Sequence, residues 1–427
     1  MIRSISIYLR GPFPVILLCL LLVQCSEKSQ TQSSEEEKST DPKARYQVVD
    51  EIPPDILDIK NVSVFPADSQ PTHSLELIPE QSFGKEGEPY LTKIQQGIVD
   101  DNERVIILNS GTNYAQQVYV YNSDGSFHTK IGRAGRGPGE YSFAMSMQAQ
   151  PGKVFLNDIP NKRLNIYNTD DYTIDKTLLE EQLNIREHEA VQGLEFGMYN
   201  AINNGNYLVG FYERVSDTGW PMRKFLLMGP NGNALDYNTQ EFRGGFKANG
   251  KVKSEMGPVP MSFMPMGFMG SSVETVTDKG ELYMAWNMNF LIRKYDTEGV
   301  YQSAIYYPVV GSPFDIDEHT PTAFYNKDDV MDALDIHDEE LPEDNPVIRR
   351  LQVDDEGRIW VAIPAGDERT MNEWWILSDS GQLIARSLFT GDKEIQEIKG
   401  GYLYTKETNE ETGTDYIMKY RMKWTEN

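Results

Sequence analysis

The sequence predicts an all-β chain folded as a six-bladed β-propeller, closed by an N-terminal strand and carrying insertions between blades. Three observations predict it. A turn–strand–gap–strand–turn unit recurs six times along the chain, as propeller blades do at a period of about 40 to 50 residues. Aromatic residues make up 11% of the chain, with 23 Tyr, a composition that favours strands. The last unit runs out of chain before a fourth strand, and a matching strand lies upstream of the first unit.

Residues 1–24 read as a lipoprotein signal peptide and stand outside the fold. Arg3 and Arg10 form a positive n-region, and Val15–Val23 is an unbroken apolar run of secretory length, shorter than a bilayer span. It ends in Leu22-Val23-Gln24-Cys25. That tetrad resembles a bacterial lipobox, although Gln24 stands where a small residue is usual, and it marks Cys25 as the lipid attachment site. The only other cysteine is Cys19. Cleavage before Cys25 therefore leaves one cysteine and no disulfide, so core packing alone must hold the fold. Residues 25–45 form a polar tether whose only apolar side chain after Cys25 is Ala44, a composition that stays flexible.

Residues 46–427 are assigned to the propeller. Ser74–Pro79 has strand character and is expected to pair with Tyr416–Met422, completing the last blade and removing two open sheet edges. The first strands of the six units are Val105–Leu108, Val154–Asn157, Tyr207–Gly210, Leu282–Ala285, Ile359–Ala362 and Tyr402–Thr405. Five of them follow a glycine by two residues: Gly152, Gly205, Gly280, Gly357 and Gly400. Partner strands include Val118–Tyr121, Leu164–Tyr167 and Trp374–Leu377, and turns such as Asp124-Gly125 and Ser380-Gly381 follow them, with Gly supplying positive φ. The intervals Gly205–Gly280 and Gly280–Gly357 are the long ones and imply insertions.

Two stretches carry a family resemblance. One is Val118–Tyr121 with Asp124-Gly125 and the run Ile131-Gly132-Arg133-Ala134-Gly135-Arg136-Gly137-Pro138-Gly139-Glu140-Tyr141. The other is Pro346–Ile348 with Val353–Val361. They resemble the six-bladed β-propeller lipoproteins of Bacteroidetes, relatives of NHL-repeat propellers. The resemblance implies a propeller and an extracytoplasmic lipoprotein, and it brings no catalytic residues with it.

The Gly132–Tyr141 run lacks the Gly-Lys-Ser/Thr ending of a phosphate loop, and no helix pattern follows it. Its glycines turn the chain between blades. It is also a candidate anion-binding loop, because accessible backbone N–H groups and Arg133 and Arg136 can grip an acidic group. Arg133, Arg136, Glu140, Tyr141 and Trp220 are the candidate ligand-binding residues. With Phe127–Ile131 read as an outer strand and Phe143–Gln148 as the next inner one, the loop is expected to approach the channel mouth.

Met256–Gly270 holds five methionines, but its prolines oppose a helix that would align the sulfurs, and apolar packing explains it. Gly311–Asn345 is acidic, with a short helix expected at Asn326–His337, and it contains no Ca²⁺-loop spacing. No two of His73, His128, His188, His319 and His337 are spaced as metal partners, so no metal or cofactor is expected. No Gly-x-Ser-x-Gly elbow occurs.

A formal charge of −25 repels phosphate backbones and argues against nucleic acid as a partner. The expected protein is a cell-envelope lipoprotein held at the outer membrane or cell surface, with a periplasm-facing orientation also open. It is expected to be a non-catalytic binding or scaffold propeller for a glycan, another anionic ligand or a protein partner. The alternative is a propeller hydrolase or lyase acting on polysaccharide.

Overall fold

The computed structural model describes residues 45–111, 116–214, 220–254, 257–265, 267–319, 341–366 and 371–427. The signal peptide, Cys25, the tether before Arg45 and the helix expected at Asn326–His337 lie outside the described residues.

Six sheets follow one another around a ring, five of them built from inner to outer strand in chain order. Blade one is Ile94–Val99, Val105–Ser110, Gln116–Tyr121 and Phe127–Ile131. Blade two is Ser146–Gln150, Lys153–Asp158, Arg163–Asn168 and Ile174–Leu179; blade three is Glu195–Ala201, Tyr207–Tyr212, Met222–Met228 and Glu241–Arg243. Blade four is Ser272–Val276, Leu282–Trp286, Asn289–Tyr295 and Tyr301–Gly311, and blade five is Arg350–Val353, Ile359–Pro364, Asn372–Leu377 and Leu383–Phe389. Blade six is Glu394–Lys399, Tyr402–Thr408, Asp415–Glu426 and, from the other end of the chain, His73–Phe83.

The six repeated units of the sequence are the second and third strands of these blades. Those strands are covered on both faces by neighbouring blades, so they read as apolar runs; all six residues of Val105–Ser110 are buried. Six apolar clusters fill the six blade junctions. Between blades four and five, for example, Trp375 meets Phe290 at 5.4 Å and Tyr307 at 5.3 Å between ring centroids. The inner strands face the channel and carry polar residues, and of them only blade two's is read from the sequence, as Phe143–Gln148.

Each turn from inner to second strand needs one residue in the left-handed region. Gly152, Gly205, Gly280, Gly357 and Gly400 supply it at φ between 62° and 92°, and in blade one Glu103 does so at φ 57°. A side chain in this region costs roughly 1–2 kcal/mol, which is why five of the six positions are glycine.

The N-terminal strand closes the ring as expected and runs longer than Ser74–Pro79. His73–Phe83 pairs antiparallel with Asp415–Glu426, from His73 opposite Glu426 to Phe83 opposite Ile417. Pro79 is tolerated because this strand is the outer edge of its sheet. Upstream, Tyr46–Val48 and Val62–Val64 cover the outer strand of blade four, the first antiparallel to it and the second parallel.

One boundary differs from expectation. Blade two's inner strand begins at Ser146, not Phe143. The N–H groups of Ser142 and Phe143 donate to the Asp158 carboxylate at 3.0 and 3.3 Å, which bends the chain there and leaves Phe143 37% exposed. The four longest connections, 132–145, 180–194, 244–271 and 312–349, each lead from an outer strand to the next inner one, so all start and end at one rim. Part of the methionine-rich insertion is extended: Gly257–Pro265 pairs with Lys247–Ser254. Met269 is buried beside Phe268 and Ile316, while Met256 and Met266 lie outside the described residues.

Candidate functional site

The inner strands enclose a central cavity of about 400 Å³ to which all six blades contribute. It lies toward the rim of short turns. Blade three lends only Asn203, whereas blade four lends Thr275–Lys279 and Glu281, blade five Gln352–Asp355 and Gly357, and blade six Gln396–Lys399. Gln96, Ile98, Val99 and Met147–Ala149 complete the wall.

Glutamines tie the inner strands together around this cavity. Gln96 spans to blade two, its Nε2 donating to the Met147 carbonyl at 3.0 Å and its Oε1 accepting from the Met147 N–H at 2.6 Å. Gln148 Oε1 accepts from the Ala201 N–H of blade three at 2.8 Å, and Gln396 Oε1 accepts from the Gly97 N–H of blade one at 3.0 Å. Gln352 of blade five breaks the pattern: its Oε1 is buried and has no partner among the described residues. A buried, unpaired acceptor in a cavity wall calls for a donor.

The acidic groups cluster on one side. Burial pushes the Glu397 carboxyl up to about 7, opposed by Lys399 and reinforced by Asp278 and Asp355. Asp278 is also raised, by burial first, with Lys399 opposing and Asp355 adding to it. Lys399 Nζ donates to the Val99 carbonyl at 2.8 Å, and Asp355 accepts from the Gly400 N–H at 2.8 Å. The carboxylates of Asp278 and Glu397 have no hydrogen-bond donor among the described residues. The site therefore presents unpaired acceptors beside one lysine, with the Glu397 carboxyl raised to about 7.

This has a consequence for stability. The ordinary Glu value is 4.5. Below it, native and unfolded chains both hold the proton. Between about 4.5 and about 7 only the native chain holds it, so stability falls as pH rises; above about 7 the whole cost of the enclosed charge is present. Glu397→Gln is expected to be neutral at pH 4 and to stabilise at pH 8 by on the order of 1–3 kcal/mol, a range discounted for water in the cavity. Thermal melts at the two pH values check this; equal effects at both would refute it.

The loop Gly132–Tyr141 does not contribute to the cavity wall. Arg133, 81% exposed, donates from Nε to Glu140 at 2.7 Å. The Gly137 N–H donates to the other Glu140 oxygen at 2.8 Å, and these two bonds hold the Glu140 carboxyl below its usual range, the N–H contributing most. Arg136 is exposed and its side chain has no partner among the described residues. Tyr141 is buried between blades one and two, accepting from the Val118 N–H at 3.1 Å and donating to the Ile131 carbonyl at 3.3 Å; burial raises its hydroxyl to about 12. Trp220 packs on Phe246 at 5.1 Å and Trp286 at 5.5 Å, with the Arg243 guanidinium 5.1 Å from its ring. The structure brings four of these five residues into one connection and places Trp220 apart, in an aromatic cluster.

Sequence reasoning missed Arg163 and Asp158, which organise that connection. Arg163 donates to the carbonyls of Gly135, Arg136 and Gly137 at 2.8–3.1 Å and pairs with Asp158 at 3.1 Å. It also missed the cavity glutamines. For two of them the signal was a Gln four residues before the turn glycine, Gln148 before Gly152 and Gln396 before Gly400.

Among the described residues no group of three His, Cys, Asp or Glu converges in a way that could hold a metal ion. None of their helices is long and apolar enough to cross a membrane.

The fold is that of a six-bladed β-propeller. Residues 88–206, which run from the approach to blade one into blade three, match a family model described as a 6-bladed beta-propeller. The chain finds no match among curated proteins. Among solved structures it is similar to a Bacteroides fragilis protein described as exported, with 13% identity, TM-score 0.47, and coverage of 85% of this chain and 99% of that one. It is similar also to virginiamycin B lyase from Staphylococcus aureus (12%, TM-score 0.37, coverage 82% and 99%). A third is a Bacteroides caccae protein of unknown function (13%, TM-score 0.35, coverage 71% and 83%). No residue role is carried over from any of them.

Proposed function

We propose that the chain is a cell-envelope lipoprotein, anchored through Cys25, whose propeller is a non-catalytic binding module taking a glycan or similar hydroxyl-rich ligand in the central cavity. The observation that carries this reading is the set of unpaired acceptors on the wall: Asp278, Glu397 and Gln352 Oε1. Sugar hydroxyls donate to such groups and accept from a neighbouring ammonium. An acidic ligand is disfavoured at this place, because Asp278, Asp355 and Glu397 face it with Lys399 beside them. The acid-binding alternative belongs instead to Arg133 and Arg136.

Calorimetry tests the reading with neutral oligosaccharides and oligogalacturonides, on the wild type, Asp278→Asn/Glu397→Gln and Arg133→Ala/Arg136→Ala. Neutral sugars are expected to bind, and to bind at least about tenfold more weakly to the carboxyl variant, since losing one charge-assisted hydrogen bond costs about 1.5–3 kcal/mol. Binding that prefers galacturonides and vanishes in the arginine variant would move the site to the loop. No binding at all would reject the proposal. For the anchor, Cys25→Ser is expected to abolish fatty-acid labelling and release the protein from membranes; unchanged membrane association would refute it.

A polysaccharide hydrolase or lyase is the second reading. What favours it is Glu397, a carboxyl held near neutrality beside other acids, as a general acid requires. Oligosaccharide turnover that disappears in Glu397→Gln would establish it.

A further inference from the structure

Nearer the rim of long connections, blade three opens onto a second cavity, of about 460 Å³. Its character is different. Met145, Ile159, Met198, Tyr212 and Phe225 line it, with Gly197 and Gly210 between them. Its charged groups, Arg223 and Glu274, satisfy each other in a two-point ion pair, one bond of which is 2.8 Å.

The cavity exists because blade three's inner strand is irregular. Register shifts between Phe196, opposite Phe211, and Tyr199, opposite Val209, so Gly197 and Met198 together face Gly210. Such a bulge bends its strand and re-aims side chains. A Cβ on Gly197 would come 2.7 Å from the Gly210 carbonyl oxygen, so the bulge tolerates no side chain there. A Cβ on Gly210 would sit in ordinary van der Waals contact with the Phe225 ring at 3.4 Å, so a side chain there can be accommodated and would narrow the cleft. Met145 and Met198 remain 53% and 38% exposed, two flexible thioethers able to adapt to an apolar guest.

The two cavities share Gln148, Thr275 and Val276 as walls. A polar chamber lined by acids and amides thus adjoins an apolar one lined by thioethers and aromatic rings. We propose that they form one site for an amphiphile, with a hydroxyl-rich head in the central cavity and a short alkyl chain or aromatic ring in the methionine-lined cleft. This rests on the reading of the central cavity as a sugar site and adds the class of ligand: a glycoside with an apolar aglycone, not a free oligosaccharide.

Calorimetry with methyl and hexyl glycosides of glucose, galactose and mannose, all below their micelle concentrations, tests it. For the sugar that binds, the hexyl form is expected to bind at least about tenfold tighter than the methyl form, as burying several methylenes would give. Gly210→Val, which fills the cleft, and Met198→Asp, an exposed position that leaves the fold intact, should each reduce hexyl affinity to the methyl level and leave methyl affinity unchanged. Equal binding of the two forms, or a hexyl advantage that survives both substitutions, would overturn the amphiphile proposal while the sugar site stands. Failure of every glycoside to bind in either form would overturn both.

Discussion

A chain beginning at Tyr90 should fail to fold cooperatively, although it retains the inner three strands of blade six and every strand of the other five blades. The missing piece is the strand His73–Phe83, which pairs along nearly the whole of Asp415–Glu426. Phe83 is fully buried, in a cluster with Leu91, Tyr404 and Ile417 that joins blade six to blade one. Leu75 and Leu77 pack against the tryptophan-rich junction between blades five and six. Removing a buried Phe side chain alone costs about 3–5 kcal/mol, and a domain has about 5–15 kcal/mol in total. Losing the strand also exposes a long unpaired edge, an invitation to aggregation. A chain beginning at Pro71 keeps that strand but loses Tyr46–Val48, Val62–Val64 and the Phe65–Ala67 stretch that packs on the blade four–five junction, and should melt lower than the full protein but with one transition.

The closure can be restored from the other end. The Asn427 N–H donates to the Thr72 carbonyl at 3.0 Å, so Asn427 already sits beside the start of the closing strand. A permuted chain that begins at Tyr90 and continues from Asn427 through a two-residue turn into Thr72–Pro89 should fold again as a hairpin-closed ring. Circular dichroism melts of the three chains decide the matter. If the Tyr90 chain melts like the full protein, ring closure is not what stabilises the fold.

The second large effect is expected at Arg163. Its guanidinium is 4% exposed and pairs with an Asp158 carboxylate that is fully buried. Asp158 also accepts from Ser142, Phe143 and Asn161, and Arg163 holds three carbonyls of the glycine-rich connection. Arg163→Met leaves a buried charge without its partner, which costs about 3–5 kcal/mol. For a domain of this size that lowers Tm by roughly 4–6 °C. Arg163→Met/Asp158→Leu should recover part of the loss, because both charges are then gone. Arg133→Ala, at an exposed ion pair, should barely move Tm. A small effect of Arg163→Met, or a large one of Arg133→Ala, would mean that the connection is held in another way.

These two expectations mark where sequence reasoning reached and where it stopped. The blade count was legible because second and third strands are buried on both faces, which leaves short apolar runs such as Val105–Leu108 and Ile359–Ala362 bounded by turns. The turn glycines were legible because φ near +80° excludes most side chains; Glu103 hid the first blade's turn by occupying that region without being Gly. Ring closure followed from counting strands in the last unit.

What the sequence could not supply was convergence. Gln96, Asp278, Gln352 and Glu397 come from four different blades, and nothing local in their neighbourhoods says that they share one cavity. Inner strands such as Ser272–Val276 mix polar and apolar residues because one face borders the channel, so they carry no strong period. The glycine-rich run offers a candidate anion loop because two arginines, Arg133 and Arg136, stand in one short stretch of sequence. The residue that organises it, Arg163, lies two strands away and enters only through the blade's pairing of Arg163 with Asp158. The sequence by itself determined how many blades there are, where their covered strands lie and which strand closes the ring, since each follows from burial or from a backbone angle within a few residues. Only the tertiary structure decided which polar side chains meet, because that depends on how six separate strands are brought around one axis.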